Sequence, residues 1–241
     1  MCLIVFAWKL IPECPLIAAS NRDEFFARPT QPADWWEDHP QVYAGRDLQG
    51  GGTWLGVSKQ GRFAALTNIR NGESKRSDAP SRGALVANYL NSDISTTDYL
   101  QQLKAEAGLY QGYNLLLGDA ENLVWYANEG NDDPRNGQLL APGIYGLSNG
   151  LLDAPWPKAV RAKAQFASLL CQSAPDDAYF ELLTDTTPAS DCRLPKTGVS
   201  LEWERRLSPI CIESPEYGTR ASTLVRLYED RSAQLVERVI K

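Results

Sequence analysis

Met1-Cys2-Leu3-Ile4-Val5-Phe6 opens the chain, and Asn21-Arg22-Asp23-Glu24 closes its next apolar run. Cys2 to Trp8 and Leu16 to Ser20 are both apolar or small, and they flank Ile11-Pro12-Glu13-Cys14-Pro15. That pattern predicts a β-hairpin with a proline-bearing connection. If the two strands pair as neighbours, the four polar residues emerge beside Cys2. An aspartate there can bind a terminal ammonium, and an arginine can lower a thiol pKa or hold an anionic substrate. Read alone, the tetrapeptide also fits a strand running into a charged turn.

Cysteine is one of the small second residues from which an initiator methionine is removed, so Cys2 can become the mature N-terminus. It then carries a thiol and an α-amine that titrates near pH ~8. Such a residue is a nucleophile with its own general base. The alternative is a buried cysteine that packs as a small hydrophobe at the start of a strand.

The 241 residues are 43% hydrophobic and 22% charged, which fits one α+β domain over residues 1–241 with an ample core. A formal net charge of -6 provides no basic field for nucleic acid. The local basic pair Lys75-Arg76 stands between Glu73 and Asp78, as in a solvated loop. The opening apolar run stops by Lys9, too short for a membrane span and without the flanks of a secretory signal. No integral membrane segment and a cytoplasmic location are expected. Cys2, Cys14, Cys171, Cys192 and Cys211 are odd in number and have no metal-ligand spacing, so neither a disulfide framework nor a metal site is expected. With His39 as the sole histidine, a serine–histidine triad, a multi-histidine metal centre and bis-histidine haem ligation find no support.

Pro29 to Pro40, with Trp35-Trp36, reads as a long loop. Thr53 to Ser58 and Arg62 to Asn68, joined through Gly61, read as a hairpin. Ser81 is expected to cap a helix through Leu90, and Thr96 or Thr97 another through about Ala107. A second hairpin spans Tyr113 to Leu117 and Leu123 to Ala127, with extended chain at Leu139-Leu140 and Ile144 to Ser148. Pro157 to Cys171 and Asp176 to Thr184 are helical, and Ile210 to Glu213, Thr219 to Tyr228 and Gln234 to Ile240 are strands. Strands in blocks with helices between them predict layered, largely antiparallel sheets.

Asn68 and Asn149 each end a predicted strand, where an amide either serves a turn or donates to a developing oxyanion. Arg220 begins a late strand, as a solvating edge charge or an anion clamp. Gly50-Gly51-Gly52 lacks the Lys-Ser/Thr ending of a phosphate loop and precedes a strand, so turn flexibility is the better reading.

Together these residues resemble the Transport and Golgi organisation protein 2 family, also called the NRDE family. The resemblance rests on Met1-Cys2, Asn21 to Pro29, Gly45-Arg46-Asp47, Gly51 to Gly56, Gly61 to Asn68 and Ser81-Arg82-Gly83. It continues through Tyr145 to Asn149, Pro155-Trp156-Pro157-Lys158 and Tyr217 to Arg220. It implies effects on secretory organisation, on lipid and energy metabolism, and on haem movement. A more distant resemblance, to the cholylglycine hydrolase and penicillin V acylase group of N-terminal nucleophile hydrolases, implies a four-layer αββα sandwich. It also implies Cys2 as nucleophile, Asp23 to orient its ammonium, Asn68 and Asn149 for the oxyanion, and Arg220 as a brace or acid-group ligand. Asn21, Arg22 and Trp54 are then expected to line the substrate-binding part. That group carries its early arginine nearer the positions of Ala18 or Ser20, whereas Arg22 adjoins Asp23, and strand neighbours face opposite sides. The expected activity is hydrolysis of an amide or thioester of a small acylated molecule, with no cofactor required. The alternative is a carrier that binds haem or a lipid acyl group as cargo without chemistry, walled by Trp35, Trp36 and His39, with Cys2 or His39 as haem ligand.

Overall fold

The computed structural model describes residues 2–72, 79–130 and 132–241. Met1, and Lys75-Arg76 with Glu73 and Asp78, lie outside the described residues. Strand β1 (Cys2–Ile11) is buried at every position from Cys2 to Ile4 and on to Ala7, because both its faces are covered. Leu3, Val5 and Ala7 pack to one side and Ile4, Phe6 and Trp8 to the other, as strand alternation requires. Strand β2 (Cys14–Phe25) pairs antiparallel with it, Trp8 opposite Leu16 and Cys2 opposite Arg22.

Next come β3 (Thr30–Trp35), β4 (Val42–Asp47), β5 (Leu55–Ser58) and β6 (Phe63–Asn68), with Gly61 at φ 77° turning the last pair. Helices α1 (Gly83–Leu90) and α2 (Thr96–Glu106) precede β7 (Tyr113–Gly118), β8 (Leu123–Ala127) and the short β9 (Gln138–Leu139). Strand β10 (Gly143–Leu147) leads into α3 (Pro157–Cys171), α4 (Asp176–Leu182) and α5 (Leu201–Arg206), and β11 (Tyr217–Leu227) and β12 (Ala233–Val239) end the chain.

The strands form two antiparallel sheets. One has the order β10-β1-β2-β11-β12, and the other runs as a meander from β3 to β9. Phe6, Trp8, Phe63 and Trp125 belong to the core between the sheets. Leu85 and Leu90 of α1 and Leu100 and Leu103 of α2 cover the outer face of the meander. Ala162, Phe166 and Phe180 of α3 and α4 cover the other sheet. The layers therefore run helix, sheet, sheet, helix, the αββα sandwich of the α+β class.

Four local expectations need correction. Residues 30–35 form an edge strand rather than a loop, because Pro32 sits in a register shift between Gln31 and Asp34 and needs no ladder donor there. Ile210 to Glu213 is irregular rather than a strand. Ile212 is held instead by one side chain and one main-chain group of Thr219, at 2.8 and 2.9 Å. Ser81 does not cap α1, whose N-cap is Arg82 with no side-chain bond. Ser95, rather than Thr96 or Thr97, caps α2 by accepting from the Asp98 amide. Helix α5 lacks a long apolar stripe. Its signals are local: a Ser200 cap, Glu202 in the first turn, and Arg205 and Arg206 in the last.

Candidate active site

Cross-strand partners share a sheet face, so Cys2 and Arg22 both point between the sheets, on the side of Ile4 and Phe6. Asn21 and Asp23 point the other way, toward the helices. A cavity of about 440 Å³ opens at this end of the hairpin, and Cys2, Arg22, Asp23, Trp54, Asn68 and Arg82 contribute to its wall.

Cys2 is 7% exposed. Burial pushes its thiol pKa up and the nearby Asp23 carboxylate adds to this, whereas Arg22 and a hydrogen bond from the Asp23 main-chain N–H pull it back. The Ser148 hydroxyl anchors the residue by donating to the Cys2 carbonyl at 3.1 Å. Arg22 lies with its guanidinium 4.0 Å from the centre of the Trp54 ring and donates to Thr30 Oγ1 at 2.9 Å. Arginine and thiol therefore share a face, and the adjacency of Arg22 to Asp23 does not separate Arg22 from Cys2.

Asp23 is fully enclosed. Its Oδ1 accepts from Thr219 Oγ1 at 2.7 Å, and Lys158 Nζ stands 3.7 Å from its Oδ2. Burial raises the Asp23 pKa and Lys158 opposes that rise. Burial lowers the Lys158 pKa and Asp23 opposes that fall. Lys158 is outside the set of expected site residues. The signal that marks it is a cation in the first turn of α3, behind Pro157, where no acidic residue stands and the helix dipole disfavours positive charge.

Asn68, at the end of β6, lines the cavity. Asn149 is buried behind it and donates from Nδ2 to the Asn68 carbonyl at 2.9 Å, while its own carbonyl accepts from the Arg70 amide at 2.8 Å. It clasps the ends of β6 and β10 and does not line the cavity wall. Asn21 does not line the cavity. Its Nδ2 donates to the carbonyls of Leu183 and Ile210 at 2.8 and 3.0 Å, and its Oδ1 accepts from Ser222, so it ties β2 to the helix layer.

Arg220 is also outside the cavity. The β11–β2 register shifts between Thr219, opposite Asp23, and Ala221, opposite Arg22. Arg220 is the extra residue of that bulge and is re-aimed accordingly. It donates to the carbonyls of Phe25, Arg28 and Lys241, bracing the chain that leaves β2.

The cavity rim is set by backbone approach. Asp47 pairs with Arg28 at 2.7 Å and accepts the amides of Gln49 and Gly50 at 3.0 Å. A Cβ on Gly52 would lie 2.3 Å from the carbonyl carbon of Gly83, so this glycine is needed for contact with α1. Trp35, Trp36 and His39 do not wall the cavity. Trp36 packs under the β3–β4 hairpin and donates to the Ala44 carbonyl at 2.9 Å, with the His39 ring 6.1 Å away.

Among the described residues no group of three or more His, Cys, Asp or Glu is placed to hold a metal, and no helix is long and apolar enough to cross a membrane. Residues 1–241 match the model of the family described as Transport and Golgi organisation 2. The "Transport and Golgi organization protein 2 homolog" of Bos taurus is 36% identical over 259 residues, covering 99% of this chain and 92% of its own. The homologue from Homo sapiens is 34% identical with the same coverage. Among solved structures, the Caenorhabditis elegans N-acylethanolamine-hydrolyzing acid amidase ortholog superposes with a TM-score of 0.56 at 10% identity, covering 98% of this chain and 100% of its own. That likeness concerns the fold, the N-terminal nucleophile hydrolase sandwich. By sequence, the chain belongs to the Transport and Golgi organisation 2 family.

Proposed function

We propose that the chain hydrolyses an amide or thioester of a small acylated molecule, with Cys2 as an N-terminal nucleophile. The observation that carries this reading is the convergence of Cys2, Asp23, Asn68 and Arg22 on one cavity at the end of a paired hairpin. Removal of Met1 exposes the α-amine, which takes the thiol proton. The sulfur then bonds to the carbonyl carbon, and the carbonyl π electrons move to oxygen. Amide donors at Asn68 face the developing oxyanion. Collapse breaks the bond to the amine or thiol leaving group, which takes the proton from the ammonium. Water next adds to the acyl-cysteine and releases the carboxylic acid with the thiol restored. Asp23 orients the ammonium, and Arg22 on its Trp54 shelf offers a cation to the thiolate or to an acidic substrate group.

A carrier reading has one observation in its favour: burial raises the Cys2 pKa, which keeps an unassisted thiol protonated. In that case the cavity holds a lipid acyl group or haem without attack. The test is intact mass of the mature protein, then turnover of acyl amides and acyl thioesters by wild type and Cys2→Ala. Loss of Met1 with Cys2-dependent release of acid is expected. Equal turnover in both proteins would sink the hydrolase, and a haem Soret shift without turnover would favour the carrier.

A further inference from the structure

We propose that Lys158 is a positioning residue for the Cys2 nucleophile: its ammonium keeps the enclosed Asp23 ionised and charge-balanced, so that Asp23 can hold the Cys2 amine. The proposal rests on the hydrolase reading and adds to it a residue outside the nucleophile, orienting aspartate and oxyanion donors already assigned.

The geometry comes first. Lys158 Nζ lies 3.7 Å from Asp23 Oδ2, and the two side chains are 3% and 0% exposed. Asp23 also adjoins Arg22, the cross-strand partner of Cys2, so the pair is one residue removed from the position opposite the nucleophile. A carboxylate so enclosed takes up a proton unless a cation accompanies it, and a protonated acid cannot clamp an ammonium. An unbalanced carboxylate would fail differently, by locking the amine in its protonated form. Lys158 answers both requirements without touching substrate.

Stability alone is a poor reason for this lysine. It is desolvated, and it stands in the first turn of α3, where the helix dipole opposes it. Replacing a buried pair by apolar side chains is often neutral or stabilising. The other titratable groups facing the pair are Cys2 from β1, Tyr217 from β11, Cys211 before it, and Arg70 after β6. Arg70 is itself paired with Glu204 of α5 at 2.8 Å, which offsets its charge. Arg22 lies on the opposite face of the sheet against Trp54.

In the reaction Lys158 stays protonated. The thiol proton moves to the amine, and the resulting ammonium bonds Asp23. That direct bond outweighs the weaker repulsion between Asp23 and the thiolate, so ionised Asp23 favours the thiolate–ammonium form.

The test is the pH dependence of Cys2 alkylation by iodoacetamide in the full chain. Peptide-resolved mass spectrometry separates Cys2 from Cys14, Cys171, Cys192 and Cys211. The variants are Lys158→Met, Lys158→Arg, Asp23→Asn and the double Asp23→Asn/Lys158→Met, which leaves no unpaired buried charge. Lys158→Met should move the acid limb of the profile up by about one pH unit or more, slowing labelling about tenfold at a fixed pH on that limb. Lys158→Arg should keep the wild-type limb, and the double variant should match Asp23→Asn, because Lys158 acts through Asp23. An unmoved limb in Lys158→Met, or a double variant slower than Asp23→Asn, would overturn the assignment. Alkylation needs no turnover, so a shifted limb in a protein that hydrolyses nothing sinks the hydrolase and keeps Lys158. Turnover with an unmoved limb does the reverse, and a retained Met1 overturns both.

Discussion

Trp54 shows how one side chain serves both core and site. It is 9% exposed, packs between the sheets, shelves Arg22, and lies so near Gly45 that a Cβ there would meet the indole at 2.4 Å. Trp54→Ala should cost about 3–5 kcal/mol, mostly as cavity and lost burial, measured by urea denaturation. Trp54→Phe should recover most of the stability but not the shelf under the guanidinium. The two asparagines should separate in the same assay. Asn149→Ala strands the Asn68 carbonyl inside the protein and should lose about 1–3 kcal/mol. Asn68→Ala trims a half-buried side chain at the cavity wall and should lose markedly less while still impairing turnover. Cys2 and Asp23 were legible from residue type and from the sharp apolar-to-polar boundary at Asn21. Asn149 was legible as a polar strand end but not as a clasp on Asn68, and Arg220 was expected as a brace or acid-group ligand without its partners being named, because an amide or guanidinium at a strand terminus carries no mark of which carbonyl it will meet.

Strands and helices place these side chains through a few tight approaches. The hairpin of β1 and β2 follows from two apolar runs and a proline-bearing connection, and it alone puts Cys2 opposite Arg22. The rim depends instead on Gly52 meeting the start of α1, with the Thr53 amide donating to the Gly83 carbonyl at 3.2 Å. Gly52→Ala should push that loop from the helix, destabilise by about 1–3 kcal/mol, and slow Cys2 labelling through a displaced rim. Gly51→Ala tests the alternative cause: its φ is 73° but its Cβ would meet nothing within 4 Å, so it should cost about 1 kcal/mol through backbone strain alone, with labelling unchanged. Helix α3 was legible from Pro157 and its apolar stripe. The burial of Lys158 was not, because a lysine in a first turn ordinarily reaches solvent.

The layers of the sandwich are joined by ion pairs that report on pH. Asp153 accepts the Gly146 amide of β10 at 3.0 Å, Lys163 of α3 at 2.8 Å and Arg135 at 2.8 Å. Burial works against its ionisation, but these partners prevail and hold its pKa below the usual carboxylate range. The unfolded chain then binds the proton more readily than the folded one. The stability contributed by Asp153 is therefore complete above a pH of about 4 and is lost as pH falls through its lower folded pKa. Asp23 has the opposite sign. Its raised pKa favours folding while it is protonated, and that contribution fades as pH rises through the folded value. Asp153→Asn should flatten the acid limb of stability, read as urea midpoints between about pH 3 and 6, whereas Asp23→Asn should not. Alternating apolar runs, turn residues and helix caps are local, so the amino-acid order was enough for the hairpins, the main helices and the α+β layering, and the more distant resemblance to N-terminal nucleophile hydrolases supplied the sandwich. The bulge that swings Arg220 away, the clasp of Asn149 on Asn68 and the meeting of Lys158 with Asp23 join residues far apart in the chain. Those contacts exist only once the sheets and helices have packed, because register and burial, rather than residue type, determine which polar atoms meet.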